Sequence, residues 1–174
     1  ITAMDNAFAR TEANGMTEQG FVVAIDASGN QVISNNGPGT MRSSPSGANY
    51  SGLRAKGITD FSYDAHTHGA VIKEDASGNI IVGGTGSSPG DRSGGDSKQP
   101  RVVLGYDVQN NTSKILPGDV SNAQSNTGTY VPLSNPGSFN KTINFYHSSG
   151  NLMAPMKYTD FKVLVQKIQA HVPR

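Results

Sequence analysis

The 174-residue chain contains no cysteine. That excludes disulfide scaffolds, cysteine-ligated zinc fingers, iron–sulfur centres, cysteine nucleophiles and the zinc deaminases built on a Cys-x-x-Cys pair. An excess of one charge sign is also missing: 14 Lys and Arg stand against 13 Asp and Glu, for a formal net charge of +1 with no basic run. Without a basic face to neutralise phosphates, neither nucleic acid nor an anionic membrane surface is an expected partner. No apolar run approaches the roughly 18 to 20 residues that span a bilayer, so no membrane span is expected, and the N-terminus lacks the basic-then-apolar layout of a signal peptide. Apolar residues are scarce, at 34%. Such scarcity normally accompanies disorder only when net charge is high, which it is not here. Gly, at 21 residues, takes up the difference in polar loops. These bounds predict one domain over residues 1–174, with a small core and long surface excursions. The chain opens on Ile rather than Met, as expected of a piece cut from a longer protein.

What is there begins with Ile1, Met4 and Phe8, which stand near helical spacing ahead of Asn14-Gly15 and predict an N-terminal helix. The compact run Gly20 to Ile25 reads as a buried strand that turns at Asp26-Ala27-Ser28-Gly29-Asn30 and returns over Gln31 to Ser34. The same five turn residues recur as Asp75 to Asn79, between Val71-Ile72 and Ile80-Ile81-Val82. Two copies predict two hairpins with one good turn, not a repeat architecture. A third hairpin is predicted with arms at Val102 to Tyr106 and Ser113 to Leu116, and the stretches 35–57 and 117–141, rich in Gly, Ser, Asn and Pro, read as long loops. Near the end, Ile143 to His147 suggests a strand. Phe161, Leu164, Val165, Ile168 and Val172 then make one apolar helical stripe, capped by Thr159 and stopped by Pro173. This order predicts an α/β fold, a mixed β-sheet with flanking helices.

The chemistry concentrates in Tyr63-Asp64-Ala65-His66-Thr67-His68-Gly69. If the segment is extended, His66 and His68 share a face with about 6 to 7 Å between their Cα atoms, close enough for both imidazoles to meet one metal ion. Imidazole favours zinc and its neighbours, and a catalytic zinc commonly takes three protein ligands and keeps one position for water. Asp64 falls on the same face, where it either supports the ligands from behind or is solvated. Further on, Ser88-Pro89-Gly90-Asp91 gives Ser-x-x-Asp, with Ser suited to a helix N-cap and Pro to the first helical position. Such a turn could aim a hydroxyl and a carboxylate into one cleft. Ser93-Gly94-Gly95-Asp96 repeats the spacing with a poorer helix start. Two carboxylates lie upstream, Glu12 inside the predicted helix and Glu18 just before the strand at Gly20. His171 suits the last turn of the terminal helix, where a cation complements the dipole, and His147 receives no role.

A Glu ahead of a hydrophobic strand, then His-Thr-His, then a downstream Ser-x-x-Asp together resemble the JAB/MPN metalloproteases, or JAMM peptidases, over roughly Thr17 to Asp91. The resemblance implies a JAB/MPN-like, deaminase-like layered fold with Zn2+ held by His66, His68 and Asp91, and Asp96 as the alternative third ligand. It also implies Glu18 as general base and Ser88 as the group that steadies the oxyanion. Glu18 is preferred to Glu12 because the family Glu follows an N-terminal helix and immediately precedes a strand. Two departures stand out. Gly69 replaces the usual Pro, which removes a backbone restraint, and the stretch from Gly69 to Ser87 is far longer than the family pattern. That excess coincides with the Asp75 to Asn79 hairpin and reads as a β-excursion inserted beside the site.

His-Thr-His-Gly with a distant Ser-Pro-Gly-Asp is similar to the JAB-type toxin domains at the C-termini of large secreted Rhs-type bacterial toxins. That likeness implies zinc-dependent cleavage of a peptide or isopeptide bond in a protein substrate, delivery into a target cell as part of a larger toxin, and a cognate immunity protein as partner. The alternative is a catalytically inactive JAB/MPN-like module that binds protein as a scaffold.

Overall fold

A computed structural model describes residues 1–34, 39–41, 46–84, 99–149 and 151–171. Strand β3 (Asp60–Thr67) lies inside a six-stranded sheet with β1 (Gly20–Ile25), β2 (Gln31–Ile33), β6 (Arg101–Tyr106), β8 (Lys141–Tyr146) and β9 (Leu152–Lys157), in the order β2-β1-β3-β6-β8-β9. Among the described residues only β3 and β6 pair in parallel; the other neighbours in this sheet are antiparallel. A parallel pair requires a crossover. Here the crossover carries the hairpin of β4 (Val71–Glu74) and β5 (Ile80–Val82), which joins β7 (Val131–Pro132) in a second, three-stranded sheet ordered β5-β4-β7. The expected mixed sheet with flanking helices is the observed architecture, and the excursion after Gly69 is a sheet of its own. Among the described residues no helix is long and apolar enough to cross a membrane.

Alternation along the strands builds two layers. Phe21, Val23, Ala65, Val102, Leu104, Tyr106 and Ile143 point to one face, where they meet Met4, Ala7 and Phe8 of α1 (Thr2–Ala13) and Tyr158 of α4 (Tyr158–His171). Val22 and Ala24 point to the other face, against Tyr50 and Leu53 of α2 (Ser46–Arg54). Gly20 pairs with His66 and Val22 with Asp64, so both of those polar residues lie on the α2 face. Asp64 is neither solvated nor free. Arg101 donates to it from Nε at 2.7 Å and from a terminal nitrogen at 2.8 Å, and the Tyr50 hydroxyl donates at 3.1 Å. A buried bidentate pair of this kind fixes the register of the one parallel junction.

Several expectations are corrected. The arms predicted at Val102 to Tyr106 and Ser113 to Leu116 do not form a hairpin. β6 pairs with β8 instead, and Val108–Lys114 winds into 3₁₀ turns. Local polar bonds explain the winding: Asn111 Nδ2 donates to the Asp107 carbonyl at 3.0 Å, while Asn140 anchors the Asp107 carboxylate from its backbone and side chain at 2.8 and 2.7 Å. The stretches read as loops hold helices. α2 lies in the first, and α3 (Pro117–Ser125) in the second, started by Pro at its first turn and burying only Asp119 and Ala123. β9, which the sequence reading did not include, carries Pro155, and an edge strand tolerates it. The terminal helix begins at Tyr158, which puts Thr159 inside it rather than at its cap, and its stripe is only half used. Tyr158 is buried and Phe161 partly so, whereas Leu164 and Ile168 are 45% and 54% exposed. Val172 and Pro173 lie outside the described residues.

The two copies of the five-residue turn adopt one geometry. Asp26 Oδ1 accepts from Ser28 N and Asn30 N at 2.9 and 2.8 Å, and Asp75 Oδ1 accepts from Ser77 N and Asn79 N, both at 2.9 Å. Gly29 and Gly78 supply φ of 82° and 83°, a left-handed conformation that suits glycine. The backbone bonds from Asn30 and Asn79, followed by their side-chain amides, hold both carboxyls below the ordinary aspartate value of 3.8. A depressed carboxyl contributes stability above its unfolded value that is lost as pH falls through the folded value. On acidification, the amide resonances of Ser28, Asn30, Ser77 and Asn79 should therefore titrate with midpoints below pH 3.8, and Asp26→Asn should abolish the titration in the first turn alone.

Candidate metal centre

Thr67 stands between the two histidines, so alternation sends its side chain to the face opposite theirs. There its hydroxyl meets the hydroxyl of Thr11 on α1 and accepts from Gln19 N at 2.8 Å. Its own amide donates to the Gln19 carbonyl at 2.7 Å. This reciprocal exchange lays the segment just before β1 along the end of β3. Glu18, one residue earlier, is held from its other side as well: its amide donates to Thr40 O and its carbonyl accepts from Gly39 N, both at 2.8 Å.

The result is a convergence of three side chains. His66 Nε2 and His68 Nε2 lie 3.1 Å apart, with ring centroids 5.0 Å apart and planes inclined at 51°. Glu18 Oε1 lies 3.8 Å from His68 Nε2. One ligand atom from each of the three residues falls within 4.8 Å of the other two. Glu18 and His66 are 6% and 3% exposed, and the His68 side chain 11%. Two nitrogens each about 2.05 Å from a zinc ion at the tetrahedral angle would lie about 3.3 Å apart, close to the separation found. Glu18, His66 and His68 could therefore hold a metal ion, and an imidazole and carboxylate donor set suits a first-row divalent cation.

Glycines shape the floor beneath the site. A Cβ on Gly69 would overlap the carbonyl oxygen of Met16 and lie 2.7 Å from Met16 Cβ, where Met16 itself takes a φ of 64°. No larger residue fits this point, so close packing against Met16 stands in for the restraint that a proline would give. Gly84 lies over Gly69, with an ideal Cβ 2.9 Å from the Gly69 carbonyl oxygen, and the Gly84 carbonyl in turn sits on Gly105 and accepts from Tyr106 N at 2.6 Å. His68 N donates to Leu104 O at 2.7 Å, which completes the tie to β6.

The sequence-derived candidates thus divide. His66, His68 and Glu18 come together, and Glu12 does not join them. It is half-exposed on α1, where Lys141 Nζ approaches at 2.8 Å and the Tyr106 hydroxyl donates at 2.9 Å. Burial pushes the Glu12 carboxyl up, but the bonds from Lys141 and Tyr106 and the lysine charge outweigh it and hold the carboxyl low. Ser88, Asp91, Ser93 and Asp96 lie outside the described residues. The chain leaves the described part at Gly84, beside Gly69, and re-enters at Gln99, two residues before the Arg101 that grips Asp64. His171 Nδ1 lies 2.7 Å from the Lys167 carbonyl in the last turn of α4, and the His147 ring bonds to its own turn through Ser148 and Ser149. Sequence reasoning passed over the supporting residues Thr11, Thr67, Met16 and Arg101. The inward direction of Thr67 was legible from alternation alone, whereas Arg101 depends on a register set 37 residues away.

Thr67→Val keeps the shape of the side chain but leaves Gln19 N and the Thr11 hydroxyl without their partner. Denaturant unfolding should show a loss of about 1 to 3 kcal/mol. Compared with known proteins, the chain matches no protein-family model, no curated protein and no solved structure.

Proposed function

We propose that the chain is a zinc-dependent hydrolase that cuts a peptide or isopeptide bond in a protein substrate, as the C-terminal effector domain of a secreted bacterial toxin. The observation that carries the chemistry is the buried Glu18–His66–His68 group. Two imidazoles at near-tetrahedral spacing with a carboxylate alongside suit a hydrolytic zinc centre, which needs few protein ligands and one open position. The toxin context, with its immunity protein, rests on the resemblance of His66-Thr67-His68-Gly69 and Ser88-Pro89-Gly90-Asp91 to the toxin domains named above.

A bound zinc ion supplies Lewis acidity, which polarises a carbonyl and acidifies a water molecule. The residues of the chain divide the remaining work. His66 and His68 orient the centre from the end of β3, and Asp91 is the third ligand by the family pattern, with Asp96 as its alternative. Glu18 Oε1, 3.8 Å from His68 Nε2, is close enough to take the proton of the attacking water and pass it to the leaving amine. The Ser88 hydroxyl donates to the carbonyl oxygen as negative charge develops there.

Metal analysis and cleavage assays separate these roles. The purified protein should carry zinc, His66→Ala and Asp91→Asn should lose it, and Glu18→Gln should keep it while cleavage or toxicity falls by about 10² to 10⁴-fold. Loss of zinc in Glu18→Gln would make Glu18 a ligand rather than the base. A wild-type protein that binds no metal would leave the non-catalytic protein-binding module as the reading.

A further inference from the structure

The face of the sheet that carries His66 continues past the metal centre. In register with His66 stand Val103 on β6, Asn144 on β8 and Pro155 on β9, and the next row on that face runs through Gly105, Thr142 and Lys157. Two strand spacings, about 10 Å, separate Asn144 from His66. At that point Thr142, Asn144, Asp107, Pro155, Met156 and Lys157 line a pocket of about 280 Å³. The Thr142 hydroxyl is buried there with no hydrogen-bond partner. Asn144 is 7% exposed, and its carboxamide makes no hydrogen bond among the described residues. Buried polar groups are nearly always paired. The Thr142 hydroxyl is one that is not, and beside it the Asn144 carboxamide opens on the same pocket; together they mark a place where a ligand completes the pairing.

The lining also indicates which ligand. The Asp107 carboxylate is taken up by Asn140, which leaves Lys157 as a lone charge at the rim, so recognition rests on hydrogen bonds more than on charge. A carboxamide and a hydroxyl can each donate and accept, which matches the N–H and C=O of a backbone peptide group. Pro155, in register with Asn144, gives an apolar wall for a neighbouring aliphatic side chain. We propose that this pocket is a substrate subsite that takes one backbone peptide group and its adjoining side chain, about three residues of extended chain away from the scissile bond. Its role as a subsite rests on the hydrolytic reading above; its capture of a peptide group does not.

The test uses the Glu18→Gln protein, in which turnover is strongly reduced on the reading above, titrated with N-acetyl-leucine N-methylamide and followed by amide NMR. Saturable shifts are expected at Thr142, Asn144 and Lys157 and at the Asn144 side-chain amide. Thr142→Val or Asn144→Leu should weaken binding about tenfold, the effect of one net hydrogen bond. Asn144→Leu should also raise Tm, because it replaces an unpaired carboxamide that serves binding rather than folding. Shifts that are absent, that do not saturate or that glucose reproduces at equal concentration overturn the proposal. So does a fall in Tm in Asn144→Leu with binding unchanged, which makes Asn144 structural and its pocket water-filled. Because the titration reads binding without turnover, its failure leaves zinc content untouched, and a metal-free protein leaves the titration untouched.

Discussion

The reciprocal hydrogen bonds between Gln19 and Thr67 are the junction on which the candidate centre hangs. A carboxylate ahead of one strand and two imidazoles at the end of another have no reason to meet unless those two chain segments are locked in register. The lock uses the backbone N–H and C=O of Gln19 on one side and the amide and hydroxyl of Thr67 on the other, and it places Glu18 and His68 beside each other without either side chain having to take part. The same hydroxyl reaches Thr11, so α1 is fastened to the underside of the strand that carries the histidines. Apolar packing of Met4, Ala7 and Phe8 holds the helix against the sheet. The threonine pair sets where along the strand it rests.

Beneath that junction the backbone runs unusually close to itself. Met16 lies on Gly69, Gly69 beneath Gly84 and Gly84 on Gly105, with no side chain between them. The crossover from β3 to β6 therefore begins and ends within touching distance of the site, although it contains a complete hairpin. A low apolar fraction is compatible with this architecture, because here close contact is made by main chain where a richer sequence would use side chains.

Much of this could be read in advance, and the limits have physical causes. Strands with a strong β-branched signal (Gly20 to Ile25, Val102 to Tyr106) stand where expected, and so do both hairpins with the shared turn. Their determinants are local. The face shared by His66 and His68 follows from a period of two, whereas the choice of Glu18 over Glu12 rests on the family pattern that the sequence resembles. Elements whose apolar residues are few were missed: α2 buries Tyr50 and Leu53, and α3 buries little beyond Ala123, so neither leaves a clear stripe in the sequence. Partnerships set by topology could not be read at all. The 3₁₀ turns after β6 replace a hairpin because β6 already has β8 as its partner, and Asp64 is gripped by Arg101 only because β3 and β6 lie side by side in parallel.

Pro155 sits in β9, the edge strand that also presents Leu152 and Met153 to solvent. An open edge with apolar side chains is ordinarily a template on which another chain can zip up. A proline offers no donor to such an addition, so a strand laid along β9 would meet a break in its ladder near the middle. Pro155 thus protects the edge, and among the described residues the sheet can end in an unpaired strand without inviting a second molecule to extend it.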